Sequence, residues 1–155
     1  MQRRDQEITD RTEIESILQR ATVCRIAMAE DNVPYVVPVS FGYRDGCLYI
    51  HSAPEGRKID ILKRNDRVCF EVDVDEELVR RGEPCAWSMR YRSVVGLGRA
   101  YLVEDAEEKR KALDIIVEHY GGEPAGYSDK ALREVAVIRV KIEEMTGKQS
   151  GHINS

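Results

Sequence analysis

The stretch Pro34-Tyr35-Val36-Val37-Pro38-Val39-Ser40-Phe41-Gly42-Tyr43-Arg44-Asp45-Gly46-Cys47-Leu48-Tyr49-Ile50-His51-Ser52 reads as two strands around a turn. Tyr35–Tyr43 is β-branched and aromatic, which suits a half-buried pleated surface. Pro34 and Pro38 cannot donate to a ladder, so they argue for an edge or bulge position. Arg44-Asp45-Gly46 is a turn signal, and Cys47–His51 alternates back. A hairpin is therefore expected over 35–51.

Working outward, strand follows strand without the β-α-β alternation of a parallel sheet. Val23–Ala29, Arg67–Val74, Met89–Val103 and Val135–Ile142 complete the set, with Asp73–Pro84 read as a loop. Gly96 and Gly98 inside the long strand allow tight bending or close approach of another backbone. Helical spacing appears in three places. Thr9 or Asp10 starts a run through Gln19 that places Ile14, Ile17 and Leu18 on one face, with Asp10 and Glu13 at capping-box spacing. Ile59 and Leu62 lie in a short helix ending near Asn65. Asp105 and Glu108 open a longer one with Leu113, Ile116 and Val117 as its apolar face, ended by Gly121-Gly122. A shorter helix follows Ser128. The fold class expected is α+β, built on an antiparallel barrel or sheet with flanking helices.

The 155 residues suit one domain with a single core. A net charge of −4 argues against a partner that is nucleic acid. No apolar run approaches the roughly 18–20 residues of a membrane helix, and no apolar segment follows the charged N-terminus, so a cytoplasmic address and no membrane contact are expected. Cys24, Cys47, Cys69 and Cys85 contain no Cys-x-x-Cys pair. They are read as reduced, non-catalytic thiols, and no metal site is expected.

Two clusters carry chemistry. After the strand ending in His51 and Ser52, the chain breaks at Pro54-Glu55-Gly56 and enters a helix at Arg57-Lys58. Free N–H groups at a helix start beside a guanidinium and an ammonium suit a phosphate-bearing ligand. A solvated surface turn is the rival reading. The second cluster is Trp87-Ser88-Met89-Arg90-Tyr91-Arg92-Ser93, where alternation places Arg90 and Arg92 on one face and Tyr91 and Ser93 on the other. Trp87 either stacks on a flat ligand ring or fills an edge of the core. His119, at a helix end, is read as capping or surface, and His152 as solvated or at an interface. The Gly96-Leu97-Gly98 pair lies within a strand and supports no dinucleotide-binding crossover.

Taken in order, Pro34–Tyr43, Tyr49–Ala53 with Gly56-Arg57-Lys58, Arg67-Val68-Cys69-Phe70-Glu71, and Tyr91–Val94 with Gly98-Arg99-Ala100 resemble the pyridoxamine 5′-phosphate oxidase-like flavin-binding proteins. The branch most similar is that of the nitroimidazole-resistance proteins. The resemblance covers roughly residues 3–150. It implies one split β-barrel domain of Greek-key type over 1–155, with 1–8 and 146–155 flexible or at a dimer interface. It also implies a homodimer binding FMN between its subunits. Val37, Pro38, Val39 and Ser40 would lie along the isoalloxazine ring, and Ser52 near the ribityl chain or phosphate. Arg57 and Lys58 would hold the phosphate, Arg92 and Ser93 would contribute polar flavin contacts, and His51 would face the flavin or substrate pocket.

Two departures accompany it. Val95 stands where the oxidase carries a flavin-contacting arginine, and the tail from Thr146 to His152 lacks its arginine-x-histidine substrate motif. The activity implied is that of a small FMN-dependent oxidoreductase with a small-molecule substrate and NAD(P)H as reductant, rather than vitamin B6 oxidation. A non-catalytic flavin- or haem-binding module is the alternative, with His51 and Cys24 as candidate haem ligands; an interaction protein with a degenerate pocket is another.

Overall fold

Two-residue turns fix the first half of the sheet. Asp31 and Asn32 have φ of 50° and 65°, and Asp45 and Gly46 have φ of 50° and 77°. Paired positive φ values are those of the turn whose twist matches flanking strands, and Asp, Asn and Gly reach them at least cost. The first turn joins β2 (Cys24–Glu30) to β3 (Val33–Val39), and the second joins β4 (Phe41–Arg44) to β5 (Cys47–Ser52).

The computed structural model describes residues 6–151. Residues 1–5 and 152–155, with the expectations placed on them and on His152, lie outside the described residues. The remaining strands are β1 (Glu7–Ile8), β6 (Arg67–Val79), β7 (Ser88–Val103) and β8 (Ala136–Ser150). Helices are α1 (Arg11–Arg20), α2 (Arg57–Arg64), α3 (Ala106–His119) and α4 (Asp129–Arg133). One antiparallel sheet runs β3-β2-β6-β7-β8-β5-β4, with β1 added on β8.

That order dictates the curvature. β3 and β4 sit at opposite ends of the path, yet only Ser40 separates them in the chain. Flat, seven strands would hold their edges roughly 29 Å apart, six spacings of about 4.8 Å. The sheet must curl until its edges approach at Ser40. No β3–β4 pairing occurs among the described residues, so the barrel stays split at that seam.

Alternation then fills the interior. Val39, Cys24, Val72 and Val94 form one row across four strands, all buried. Phe41, Leu48, Ile50, Phe70, Ile138 and Val140 extend the core. Gly96 faces inward because a Cβ there would sit 2.3 Å from the Phe70 ring. α1 adds Ile14, Ile17 and Leu18 to this core. α3 lies on β4 and β5, so closely that a Cβ on Gly42 would be 2.8 Å from the Ile115 carbonyl oxygen.

Several sequence boundaries move. Tyr35–Tyr43 is two strands broken at Ser40, with β3 paired to β2 and only β4 in the 41–50 hairpin. Of the Asp73–Pro84 stretch only residues 80–83 form a loop: β6 continues to Val79 across an irregularity between Val74 and Glu77, where Asp75 has φ 59°. β8 continues past Ile142 to Ser150, because β7 is long enough to pair with it as far as Tyr91. The α3 core residues are Ala112, Ile115 and Ile116; Leu113 and Val117 are only half-buried. Asp10 caps α1 by accepting from the Thr12 N–H, rather than from the Glu13 position of a capping box.

Candidate flavin site

β5 ends at Ser52, and four residues later Gly56 turns the chain into α2 with φ 140°, a conformation that favours glycine. Glycine at this N-cap offers no side-chain oxygen, so no side chain caps the first N–H groups of α2. Arg57 lies over the Tyr35 ring at 4.4 Å from its centroid, which ties the helix start to β3. Lys58 is half-buried, and burial pushes its pKa down. Among the described residues neither cation has a carboxylate partner. Arg64, at the far end of the same helix, does pair with Glu30. A helix start with bare N–H groups and two uncompensated cations is suited to a dianionic phosphate.

Ser52 lies in the same neighbourhood and donates to the Ala53 carbonyl at 2.8 Å. His51 is exposed on the opposite side of β5, beside Val137 of β8 in register. On β3, Val37 and Val39 turn inward while Pro38 is exposed, as is Ser40 just past the strand's end.

Arg92 and Ser93 occupy another region. Val39 and Val94 share the row described above. Tyr35 is four residues to one side of it and Arg92 two residues to the other, three strands away. That is roughly 20 Å along the strands and 14 Å across them, measured over the sheet. The Arg57–Lys58 and Arg92–Ser93 pairs are thus separate surfaces of one chain. Arg92 is in addition engaged: it donates to Asp75 at 2.8 Å, as does Arg20 at 3.0 Å. Ser93 is 6% exposed, opposite Asp73 on β6 and Lys148 on β8.

A cleft of about 480 Å³ opens beside this second region, lined by Arg20, Thr22, Arg25, Asp73, Asp75 and Glu76 among others. Arg25 donates to Asp73 at 3.0 Å and to Glu71 at 3.4 Å. Burial, then a hydrogen bond shared with Asp73, raises the Glu71 pKa to about 7. Burial opposes ionisation of Asp73 too, yet hydrogen bonds with Glu76 and Glu71 keep its pKa low.

Sequence reasoning did not single out Lys148, Tyr35 or Glu71. Lys148 lies in a segment taken for tail, and only its pairing across from Ser93 reveals it. Cys24 is fully buried, and burial foremost pushes its thiol up to about 12, which removes it as a haem ligand. His119 is half-buried: its Nε2 lies 2.6 Å from the Ala21 carbonyl, and its ring packs on Phe41. Among the described residues no helix is long and apolar enough to cross a membrane.

Comparison with known proteins agrees with this fold. A family model described as pyridoxamine 5′-phosphate oxidase matches residues 10–149. A candidate 5-nitroimidazole antibiotic resistance protein from Bacteroides thetaiotaomicron VPI-5482 superposes with a TM-score of 0.83 at 44% identity, over 92% of this chain and 86% of that one. An FAD-binding protein from Mesorhizobium loti gives 0.67 at 28% identity, over 92% and 96%. An FAD- and haem-binding protein from Mycobacterium smegmatis, at 20% identity and 0.84 over 97% and 76%, shares the fold. An uncharacterised protein of Rhizobium meliloti (strain 1021) is 29% identical over 65 residues, so the match spans 42% of that curated relative. With the family model matching nearly the whole chain, this split barrel belongs to the pyridoxamine 5′-phosphate oxidase family.

Proposed function

We propose that the protein is an FMN-binding flavoprotein acting as a small flavin-dependent oxidoreductase. The observation that carries this reading is the start of α2, where Arg57 and Lys58 meet an uncapped helix N-terminus and have no carboxylate among the described residues. Such a cradle favours FMN over riboflavin, because only FMN brings a phosphate. Arg57, Lys58 and Ser52 would hold the phosphate end, and Val37–Ser40 would flank the ring. The flavin supplies the electron transfer, while the chain binds, orients and shields it. His51, turned away from Ser52, belongs to the substrate side. The 44% identity with a candidate nitroimidazole-resistance protein supports a flat nitroaromatic as substrate class; NAD(P)H is the reductant proposed with it. The departures at Val95 and in the tail argue against vitamin B6 oxidation.

A homodimer is part of the same proposal. Its support is an uncovered apolar face: Val36, Ala27, Cys69 and Leu97 pair straight across β3, β2, β6 and β7, and Val36 is 61% and Leu97 46% exposed. Monomers rarely leave such a face to water. A two-fold axis through it would give two equivalent sites and let the separated Arg57 and Ser93 regions of different subunits serve one flavin.

An absorption spectrum of the purified protein, before and after FMN and then NADH or NADPH, tests the reading. Flavin bands that bleach with reductant are expected. A colourless protein that takes up no FMN sinks it, and a Soret band in place of flavin bands transfers it to haem.

A further inference from the structure

The two ends of α2 are fastened by different chemistry. At its end, the Asn65 side chain donates to the Ala29 carbonyl at 2.9 Å and Arg64 pairs with Glu30, so both grip the last residues of β2. At its start, Arg57 lies over the Tyr35 ring. Glu55 and Asp60 stand close to Arg57 in the chain, and an arginine three residues before an aspartate is well placed to pair with it on a helix. Among the described residues Arg57 pairs with neither. Tyr35, for its part, is fixed: it packs half-buried against the core and is paired with Met28 of β2, which is 3% exposed. A ring held by a strand thus meets an exposed cation carried by a helix.

That choice of partner has a consequence for binding. A carboxylate would occupy the N–H fork of the guanidinium, whereas a ring attracts the charge and leaves the fork's donors unpaired. Arg57 is thereby kept in place and open at once. A long side chain already held needs less ordering when an anion arrives. We propose that Tyr35 is a positioning residue for the phosphate site: it fixes Arg57 in the geometry that separates FMN from riboflavin, with no flavin contact of its own. The inference rests on the FMN reading above, and it goes beyond that reading by assigning the discrimination in part to a strand residue outside the cationic pair.

The test titrates FMN and riboflavin into full-length wild type, Tyr35→Phe, Tyr35→Leu, Arg57→Lys, Arg57→Ala and the Tyr35→Leu, Arg57→Ala double variant. Tyr35→Leu should weaken FMN roughly two- to tenfold, the effect of ordering one long side chain, and leave riboflavin unchanged. Tyr35→Phe keeps the ring and should bind both flavins as wild type does. With Arg57 already replaced by alanine, Tyr35→Leu should cause no further FMN loss, a coupling that a merely structural tyrosine would not show. Arg57→Lys changes an exposed position, so it decides the matter if Tyr35→Leu does not fold. It should lose much of the FMN preference, because an ammonium has no planar fork, and wild-type FMN affinity in it overturns the proposal. An FMN loss in Tyr35→Leu that riboflavin shares, or that persists without Arg57, overturns it by making Tyr35 a packing residue. An equal loss in Tyr35→Phe overturns it by giving the phosphate to the hydroxyl. Unchanged FMN affinity in Arg57→Ala fails the FMN reading itself, whereas a loss there with none in Tyr35→Leu removes this inference alone.

Discussion

Arg57 and Lys58 differ in how they can hold an anion. Arg57 is pinned over Tyr35 and presents a planar fork, whereas Lys58 is a half-buried point charge. Charge-assisted hydrogen bonds contribute about 1.5–3 kcal/mol each, so Arg57→Ala should weaken FMN binding roughly ten- to a hundredfold. Riboflavin affinity should barely change, and Lys58→Ala should show the same selectivity with a smaller loss. Parallel titrations of both flavins check this; equal losses for the two would make the pair structural. His51 gives the complementary expectation. It is exposed and faces away from Ser52, so His51→Ala should retain bound flavin and alter turnover. A folded, colourless His51→Ala protein would contradict that placement. The helix-start cations were legible in the sequence because they are contiguous. Lys148 and Tyr35 were not, since what each touches comes from a distant element.

Among the elements, β6 and β7 show where pattern reading stops. Arg67–Val74 was legible as a strand, and Val68, Phe70, Val72 and Val74 are its buried side, but the polar run after Asp73 resembles a loop because it leaves the core while remaining paired. Backbone pairing, unlike side-chain burial, leaves no mark in hydropathy. The same blindness shortened β8. Gly96 was readable as a site of close approach, and Phe70 is what approaches; Gly96→Ala should destabilise the fold by about 1–3 kcal/mol, measurable by denaturant titration. Glu71 supplies a pH dependence of definite sign. Its pKa rises from 4.5 in the unfolded chain to about 7, so the folded state binds the extra proton. Its contribution is fully present below pH 4.5 and is lost as pH rises through 7. Thermal midpoints of wild type should therefore fall between pH 5 and 8 more steeply than those of Glu71→Gln. Identical slopes would show that Glu71 ionises freely.

The barrel as an assembled object was legible in class but not in topology. Helix and strand periodicities gave an antiparallel α+β protein, while the placement of β8 between β7 and β5 follows from pairings about 34 to 94 residues apart in the chain. The exposed row of Val36, Ala27, Cys69 and Leu97 brings an expectation for solution behaviour. Wild type should sediment as a dimer, and Leu97→Arg should give folded monomers with reduced flavin retention. A wild-type monomer fully loaded with FMN at micromolar concentration would exclude a shared site. The position of β8 has a further consequence, for the protein during its synthesis. Until residues 136–150 have left the ribosome, β7 and β5 each lack a neighbour, and the β4–β5 hairpin has no sheet to join. At about 5–20 residues per second, the nascent chain carries open strand edges for seconds, the interval in which chaperones guard such edges against pairing with other chains.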